Sequence, residues 1–471
     1  MDLRRLFAAI GADAPPLPVA GVTHDSRKVR SGFVYVALPG RRYDGHAFVP
    51  EALARGAVAV VGERDLSVSV PYARVPDSRR ALSRLAAAFF GEPSRELFVV
   101  GVTGTDGKTT TSHMVHHLLH ALGLGAGLLS SVGYAYGGRF VHPEGHFTTP
   151  EAPELQRVLA EMRAAGVTHV VLETSSHALA QHRVADVDYD LAVWTHLSPE
   201  HLDFHGDMEG YFRAKASLVE RAGRAVLNAA CPYARRLFSH PHLAYGPGGE
   251  LWAEEVREDA RGVAFVVATE GERHPLRLPM IGAYNVENAL AALGAGLALG
   301  LPLGAMVEAL ARFPGVPGRM QVLAASPVRL VVDFAHTPEA LARALRALRP
   351  TTPGRLVVVV GAAGERDPGK RRPLGEVAGR QADVAIFTEE DSRSEPTEAI
   401  LAELAAGARR GRAEVFLEPD RERAIHLAAR LARPGDTVLF AGKGHERTLE
   451  RASEVLPWDE AAVVRRAFGL A

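Results

Sequence analysis

A run of eight residues, Thr103-Gly104-Thr105-Asp106-Gly107-Lys108-Thr109-Thr110, has the composition of a phosphate-binding loop. Glycines let backbone N–H groups converge on phosphate oxygens, and the positive end of a following helix adds favourable potential. Lys108 supplies a compact cation for the β- and γ-phosphates, and the Thr109 hydroxyl suits a Mg2+ ion. The spacing departs from the common loop, because the residue five before Gly107 is Val102 rather than glycine. Further along, Glu173 ends an apolar run over 167–172 and precedes Thr174-Ser175-Ser176-His177. A carboxylate at a strand's C-terminal end, beside a phosphate loop, is where an acidic Mg2+ ligand belongs. Taken alone it reads equally well as a surface acid.

A second stretch is rich in ligand types. Glu200-His201-Leu202-Asp203-Phe204-His205-Gly206-Asp207 holds two histidines and three acids, and Lys215 follows on a helical segment. Such a loop can hold a cation or simply be solvated. The lysine usage sharpens the reading. Of 54 basic residues only five are lysine: Lys28, Lys108, Lys215, Lys370 and Lys443. A chain that uses arginine for its solvated charges keeps lysine where arginine cannot serve: as a neutral amine, a nucleophile or a point charge on phosphate.

These residues need elements to hold them. Runs over 33–38 and 57–61 read as strands, with a helix over 79–90, in a first α/β unit. Gly91-Glu92-Pro93-Ser94 reads as a linker. Strands are expected over 97–102, 167–172, 191–195 and 224–227, with a small β excursion over 237–278. Continuous apolar runs of this kind suit a parallel sheet covered on both faces. A second linker falls at 313–318. Strands over 329–333, 356–360, 384–388, 414–417 and 437–441 then alternate with helices, a Rossmann-like rhythm. The expected fold is α/β in three domains: 1–91, a central phosphate-loop domain over 92–315, and a Rossmann-like domain over 316–471.

The 471 residues carry 54 basic and 55 acidic side chains, a net charge of −1. That balance argues against a nucleic-acid-binding surface. One cysteine, Cys231, excludes an internal disulfide and fits a reducing, cytoplasmic setting. The uncharged run 289–307 is Ala- and Gly-rich and contains Pro302, so it is expected as a buried helix and turn rather than a membrane span.

TGTDGKT, ETSSHAL, EHLDFHGDMEGYFRAK, YNVENALAA, PGRM and VDFAHTPEAL occur in order between residues 103 and 340. In these motifs the chain resembles the Mur ligases, the ATP-dependent amide-forming family of peptidoglycan precursor synthesis. Asp25-Ser26-Arg27, Thr148-Thr149-Pro150, GERDPGKRRP and AGKGHE further resemble the branch that adds the third residue of the stem peptide. The resemblance implies a cytoplasmic, monomeric enzyme with no nucleic-acid partner that uses ATP and Mg2+. Its substrates would be UDP-N-acetylmuramoyl-dipeptide and a diamino acid. It implies that Gly104, Thr105, Asp106, Gly107, Lys108, Thr109, Thr110, Asn285, Asn288, Arg319, Asp333 and His336 bind ATP. Thr109 and Glu173 would hold one Mg2+, and His201 a second. Lys215 would be modified to N6-carboxylysine by CO2, a step that needs a neutral amine. Lys108, Lys215, His201 and Arg319 would serve catalysis. Ser26, Thr148, Thr149, Ser175, Gln181 and Arg183 would bind the muramoyl-dipeptide.

The incoming amino acid would meet Arg366, Glu390, Asp391, Arg393, Gly442 and Glu446. Family members that add meso-diaminopimelate typically read Asp-Asn-Pro-Arg where this chain reads Glu390-Asp391-Ser392-Arg393. The added acid favours a side chain ending in a bare ammonium, as in L-lysine or L-ornithine, over one that also carries a carboxylate. Arg393 opposes this unless Glu395 neutralises it. Two other readings share part of the pattern. Another ligase of the superfamily, such as a folylpolyglutamate synthase, would keep the central motifs but lack DSR, TTP…QHR and AGKGHE. A phosphate-loop binding protein without ligation would not need Lys215.

Overall fold

The computed structural model describes residues 1–40, 43–142 and 147–470. The chain forms two compact units. One comprises Met1–Trp252 with Glu287–Ala309, the other Ala253–Val286 with Leu310–Ala471.

The first unit contains two sheets. Strands Gly21–Thr23, Phe33–Val36, Ala57–Gly62 and Tyr72–Arg74 pair in that order, all parallel, with Val22 opposite Val34 and Val61 opposite Ala73. Helix Ser78–Phe89 follows them. Its start is fixed by Asp77, which accepts a hydrogen bond from Arg80 N. Such a cap contributes about 1 kcal/mol.

The larger sheet has eight strands in the order His242–Tyr245, Arg224–Asn228, Leu191–Trp194, Phe98–Thr103, His169–Glu173, Ala126–Leu129, Tyr134–Tyr136 and Arg139–Val141. The first six run parallel and the last two form an antiparallel edge. The parallel strands are buried on both faces, which explains their near-continuous apolar runs. Phe98–Thr103 lies between Leu191–Trp194 and His169–Glu173. From it the chain crosses to one side, through helix Lys108–Ala121 to Ala126–Leu129, and later returns to the other. That reversal opens a crevice at the C-terminal ends of these strands, the usual ligand position in an open α/β sheet.

In the second unit, Trp252–Asp259, Gly262–Ala268 and Arg273–Leu278 form a three-stranded sheet. A six-stranded sheet runs Gln321–Ala324, Arg329–Asp333, Thr437–Ala441, Leu356–Val360, Val384–Phe387 and Glu414–Leu417. Its first pair is antiparallel and the rest parallel. A hairpin, Thr448–Arg451 with Glu454–Pro457, follows the strand Thr437–Ala441. The uncharged run 289–307 becomes helices Asn285–Ala298 and Leu303–Leu310, with Pro302 in the turn between them. Among the described residues, no helix is long and apolar enough to cross a membrane.

Candidate active site

The loop 103–110 leaves strand Phe98–Thr103 and enters helix Lys108–Ala121. Two of its glycines are required by contact as well as by backbone. Gly104 has φ +149° and Gly107 φ +81°. A Cβ on Gly104 would meet Thr195 Oγ1 at 1.9 Å, and one on Gly107 would meet Asn288 Oδ1 at 2.3 Å. Thr195 Oγ1 donates to Asp106 O at 2.6 Å, and Thr105 N to His196 O at 2.6 Å, so the neighbouring strand end holds the loop. Lys108 Nζ donates to Gly104 O at 3.1 Å and Thr105 O at 2.7 Å, curling over the loop. Thr110 is buried in the first helical turn.

Thr109 and Glu173 meet, although 64 residues separate them. Thr109 Oγ1 donates to Glu173 Oε1 at 2.9 Å, and Ser131 N donates to Oε2 at 2.9 Å. The Glu173 side chain is therefore turned into the crevice and is not a surface acid. A hydroxyl and a carboxylate in contact beside a phosphate loop fit Mg2+, which takes one or two protein ligands and completes its shell with phosphate and water. Among the described residues, no group of three or more His, Cys, Asp or Glu side chains is arranged to hold a metal ion. Ser131 carries no sequence signal, because its contribution is a backbone N–H.

Lys215 projects from helix Met208–Arg221, whose N-cap Asp207 accepts from Gly210 N at 2.7 Å. One of the three acids in the ligand-rich stretch is thus a helix cap. Lys215 is 1% exposed, and its Nζ donates to Gly104 O at 2.5 Å. Burial, and then the charge of Lys108, push its ammonium well below the ordinary lysine range. A buried ammonium is costly, so this setting favours the neutral amine. Tyr211, one helical turn earlier, stacks its ring 4.8 Å from Lys215 Nζ and places its hydroxyl 3.2 Å from Thr105 Oγ1. His201 precedes helix Leu202–His205 with φ +56°. Burial, followed by Lys108 and Lys215, pushes its imidazole down to about 4.

Four of the six residues expected at the muramoyl-dipeptide come together. Thr149 Oγ1 donates to Glu173 O at 2.8 Å, and Ser175 N donates to Thr149 Oγ1 at 3.0 Å. Arg183 donates to Thr149 O at 3.0 Å and to Gln181 Oε1 at 2.7 Å. Thr148 is the half-buried neighbour. Ser26 lies apart, in the four-stranded region, where its Oγ donates to Glu51 Oε2 at 2.8 Å. The structure adds Glu151, missed in the sequence, whose Oε1 lies 3.0 Å from Arg183 Nε and 3.8 Å from Arg79 Nη1.

In the second unit, Asp333 and His336 lie at and just beyond the C-terminal end of Arg329–Asp333, Arg319 precedes strand Gln321–Ala324, and Asn285 opens helix Asn285–Ala298. Asp333 ends Arg329–Asp333 and accepts from Met320 N at 2.7 Å and Ala335 N at 3.0 Å. Burial nonetheless raises its carboxyl. Arg319 stacks 4.8 Å from the Phe334 ring. His336 Nδ1 lies 2.8 Å from Phe334 O, and burial lowers its imidazole. Asn285 is buried and donates to Ile281 O at 2.8 Å. Asn288 belongs to the first unit, against Gly107.

The expected amino-acid residues follow strands Leu356–Val360, Val384–Phe387 and Thr437–Ala441. Glu390 is buried, its carboxyl raised by desolvation, and its Oε2 has no hydrogen-bond partner. A Cβ on Gly442 would approach that oxygen to 3.0 Å. Two expectations are corrected. Asp391 does not add a bare charge: its Oδ1 accepts from Lys443 Nζ at 2.8 Å, and Lys443 also lies 2.6 Å from Glu446. Glu395 does not neutralise Arg393, because it is bound to Arg371 at 2.8 Å. Arg393 Nε instead lies 2.8 Å from Glu450 Oε2. Lys443 stands out in the sequence by the rarity of lysine and by its place in AGKGHE. Arg366 is exposed on the loop after Leu356–Val360.

Family comparisons agree with this geometry. A model described as the Mur ligase middle domain matches residues 102–296. The Mur ligase glutamate ligase domain matches 318–444, and the Mur ligase family catalytic domain matches 18–90. The chain belongs to the Mur ligase family, and as such is an ATP-dependent ligase joining an acid to an amino acid. It is 50% identical to a UDP-N-acetylmuramyl-tripeptide synthetase of Deinococcus radiodurans, over 99% of both chains. It is 40% identical to a UDP-N-acetylmuramoyl-L-alanyl-D-glutamate–2,6-diaminopimelate ligase of Gloeobacter violaceus, over 99% of this chain and 98% of that one. A solved structure of a ligase of the latter name superposes with a TM-score of 0.68 at 30% identity, covering 100% of this chain and 99% of the other.

Proposed function

We propose that the chain adds a diamino acid ending in a bare ammonium, L-lysine or L-ornithine, to UDP-N-acetylmuramoyl-L-alanyl-D-glutamate. The carrying observation is the strand-end cluster in which Asp391 and Glu446 share Lys443 while the buried Glu390 Oε2 is left without a hydrogen-bond partner. A terminal ammonium completes that cluster, whereas a terminal carboxylate adds a like charge. The diaminopimelate named for the G. violaceus relative is the competing reading.

The chemistry has two stages. The D-glutamate carboxylate attacks the γ-phosphate of ATP to give an acyl phosphate, and the amino acid's neutral α-amine then displaces phosphate. Lys108 and the loop N–H groups hold the phosphates, and Arg319 takes up charge on the γ-phosphate. Thr109 and Glu173 would hold one Mg2+, and His201 with a CO2-derived carbamate on Lys215 a second; bound there, the ions supply charge neutralisation. The remaining loop residues, Asn285, Asn288, Asp333 and His336 bind ATP. Ser26, Thr148, Thr149, Ser175, Gln181 and Arg183 bind the muramoyl-dipeptide, and Arg366 pairs with the amino acid's α-carboxylate. The enzyme acts as a cytoplasmic monomer with domains 1–91, 92–315 and 316–471.

The test is phosphate release from ATP with UDP-N-acetylmuramoyl-L-alanyl-D-glutamate and each amino acid in turn. Turnover with L-lysine or L-ornithine and little with meso-diaminopimelate is expected. Turnover with meso-diaminopimelate alone overturns the amino-acid assignment and leaves the ligase class standing.

A further inference from the structure

Residue 450 grips the acidic turn at three points. Glu450 lies on strand Thr448–Arg451. Its backbone N donates to Asp391 Oδ1 at 2.9 Å, and its backbone O accepts from Arg393 N at 3.1 Å. Its side chain then accepts from Arg393 Nε at 2.8 Å. Arg393 is held in the left-handed region at φ +51°, and its Nη1 donates to Gly364 O at 2.8 Å. The guanidinium is thus committed to one carboxylate and one carbonyl of its own chain. Both partners of the pair are largely buried, with side chains 19% and 23% exposed.

We propose that Glu450 is a specificity-determining positioning residue: by engaging Arg393 it withholds the guanidinium from the substrate, so the pocket accepts an amino acid with a terminal ammonium and rejects one with a terminal carboxylate. The inference rests on the amino-acid site proposed above. A guanidinium is the natural bidentate partner of a substrate carboxylate. A carboxylate of meso-diaminopimelate would have to compete with Glu450 for the Arg393 Nε that Glu450 already holds. A bare ammonium makes no such demand. Selection therefore works partly by rejection, through a like charge placed against the wrong substrate.

The experiment measures kcat and KM for meso-diaminopimelate, L-lysine and L-ornithine in the wild type, E450Q, E450D, R393Q and the double variant R393Q/E450Q. Thermal melting checks that each folds. E450Q is expected to raise the kcat/KM ratio of meso-diaminopimelate to the preferred basic amino acid by about tenfold or more, chiefly through a lower KM for meso-diaminopimelate. E450D, which keeps the charge, is expected to keep the wild-type preference. R393Q is expected to leave the wild-type ratio in place but to abolish the gain in the double variant. A merely structural role would lower turnover with all three amino acids alike and leave the ratio unmoved. A wild type that uses only meso-diaminopimelate would overturn the substrate reading itself. A wild type that prefers a basic amino acid, with an unmoved ratio in E450Q, would overturn the role of Glu450 alone. Should E450Q fail to fold, R393Q still decides: a selective loss of meso-diaminopimelate use there shows that Arg393 already reads the carboxylate and overturns the proposal.

Discussion

Two lysines, Lys215 and Lys443, are equally buried, at 1% and 0% exposed, and their environments drive them in opposite directions. Lys215 has a backbone carbonyl for a partner and a second lysine for a neighbour, and burial and that lysine push its ammonium well below the ordinary range. Lys443 sits between Asp391 and Glu446, and its ammonium is held above the ordinary range despite burial. Burial alone therefore does not fix the state of a lysine; the partner does. The first unit shifts its buried lysine towards the neutral amine that the proposed carbamylation needs. The second makes a fixed cation that organises two acids. Arginine would fail at the first task, since it cannot shed its proton at any working pH.

The largest effect that follows concerns Lys215. Both K215A and K215R are expected to cost on the order of 10²-fold or more in turnover, as loss of a transition-state charge stabiliser does. K215R keeps the positive charge, so activity retained in K215R would break the contrast. Added short-chain carboxylates should partly rescue K215A.

Next in size is Lys443. K443M leaves Asp391 and Glu446 without their shared cation, and breaking a buried pair costs about 3–5 kcal/mol. Denaturant unfolding is expected to show a midpoint well below that of the wild type, with the slope unchanged. A midpoint within error of the wild type would show that the acids are solvated instead.

His116, on helix Lys108–Ala121, extends the comparison to a third group. Burial first, then His120, pushes its imidazole from 6.5 down to about 4. The folded chain thus binds fewer protons here than the unfolded chain between those values. The contribution is fully present above about 6.5 and is lost as pH falls toward 4. H116Q is expected to flatten the stability profile in that window and leave it unchanged above pH 7. The smallest effect is that of D207A, which removes the cap of the helix carrying Lys215. A stability loss of about 1 kcal/mol is expected from chemical denaturation.

The contiguous loop 103–110 was legible in the sequence. Glu173 alone read equally well as a surface acid, and its contact with Thr109 spans 64 residues. The expected strands fall within a residue or two of those observed, but short or edge strands such as Gly21–Thr23, Tyr72–Arg74 and Arg139–Val141, and the parallel strand Ala126–Leu129, gave no apolar signal strong enough to be named. The second unit's site was legible in its residues but not in its pairings. Arg393 meets Glu450 rather than Glu395, across 57 residues of sequence, because a hairpin folds back onto the turn. Asp391 meets Lys443 because parallel strands Val384–Phe387 and Thr437–Ala441, on either side of Leu356–Val360, end at the same edge of the sheet. Such partners are set by strand order and register, which composition and spacing do not encode. Asp207 shows the converse: an acid among ligand types can simply be a cap.

The contrast between the two lysines is tested most directly by 13C NMR of the protein in 13C-labelled bicarbonate at neutral pH. The wild type and K443M are expected to show a single carbamate resonance, and K215R none. A wild type without the resonance, or a resonance that survives in K215R, would contradict the assignment of Lys215 as the neutral, CO2-accepting amine.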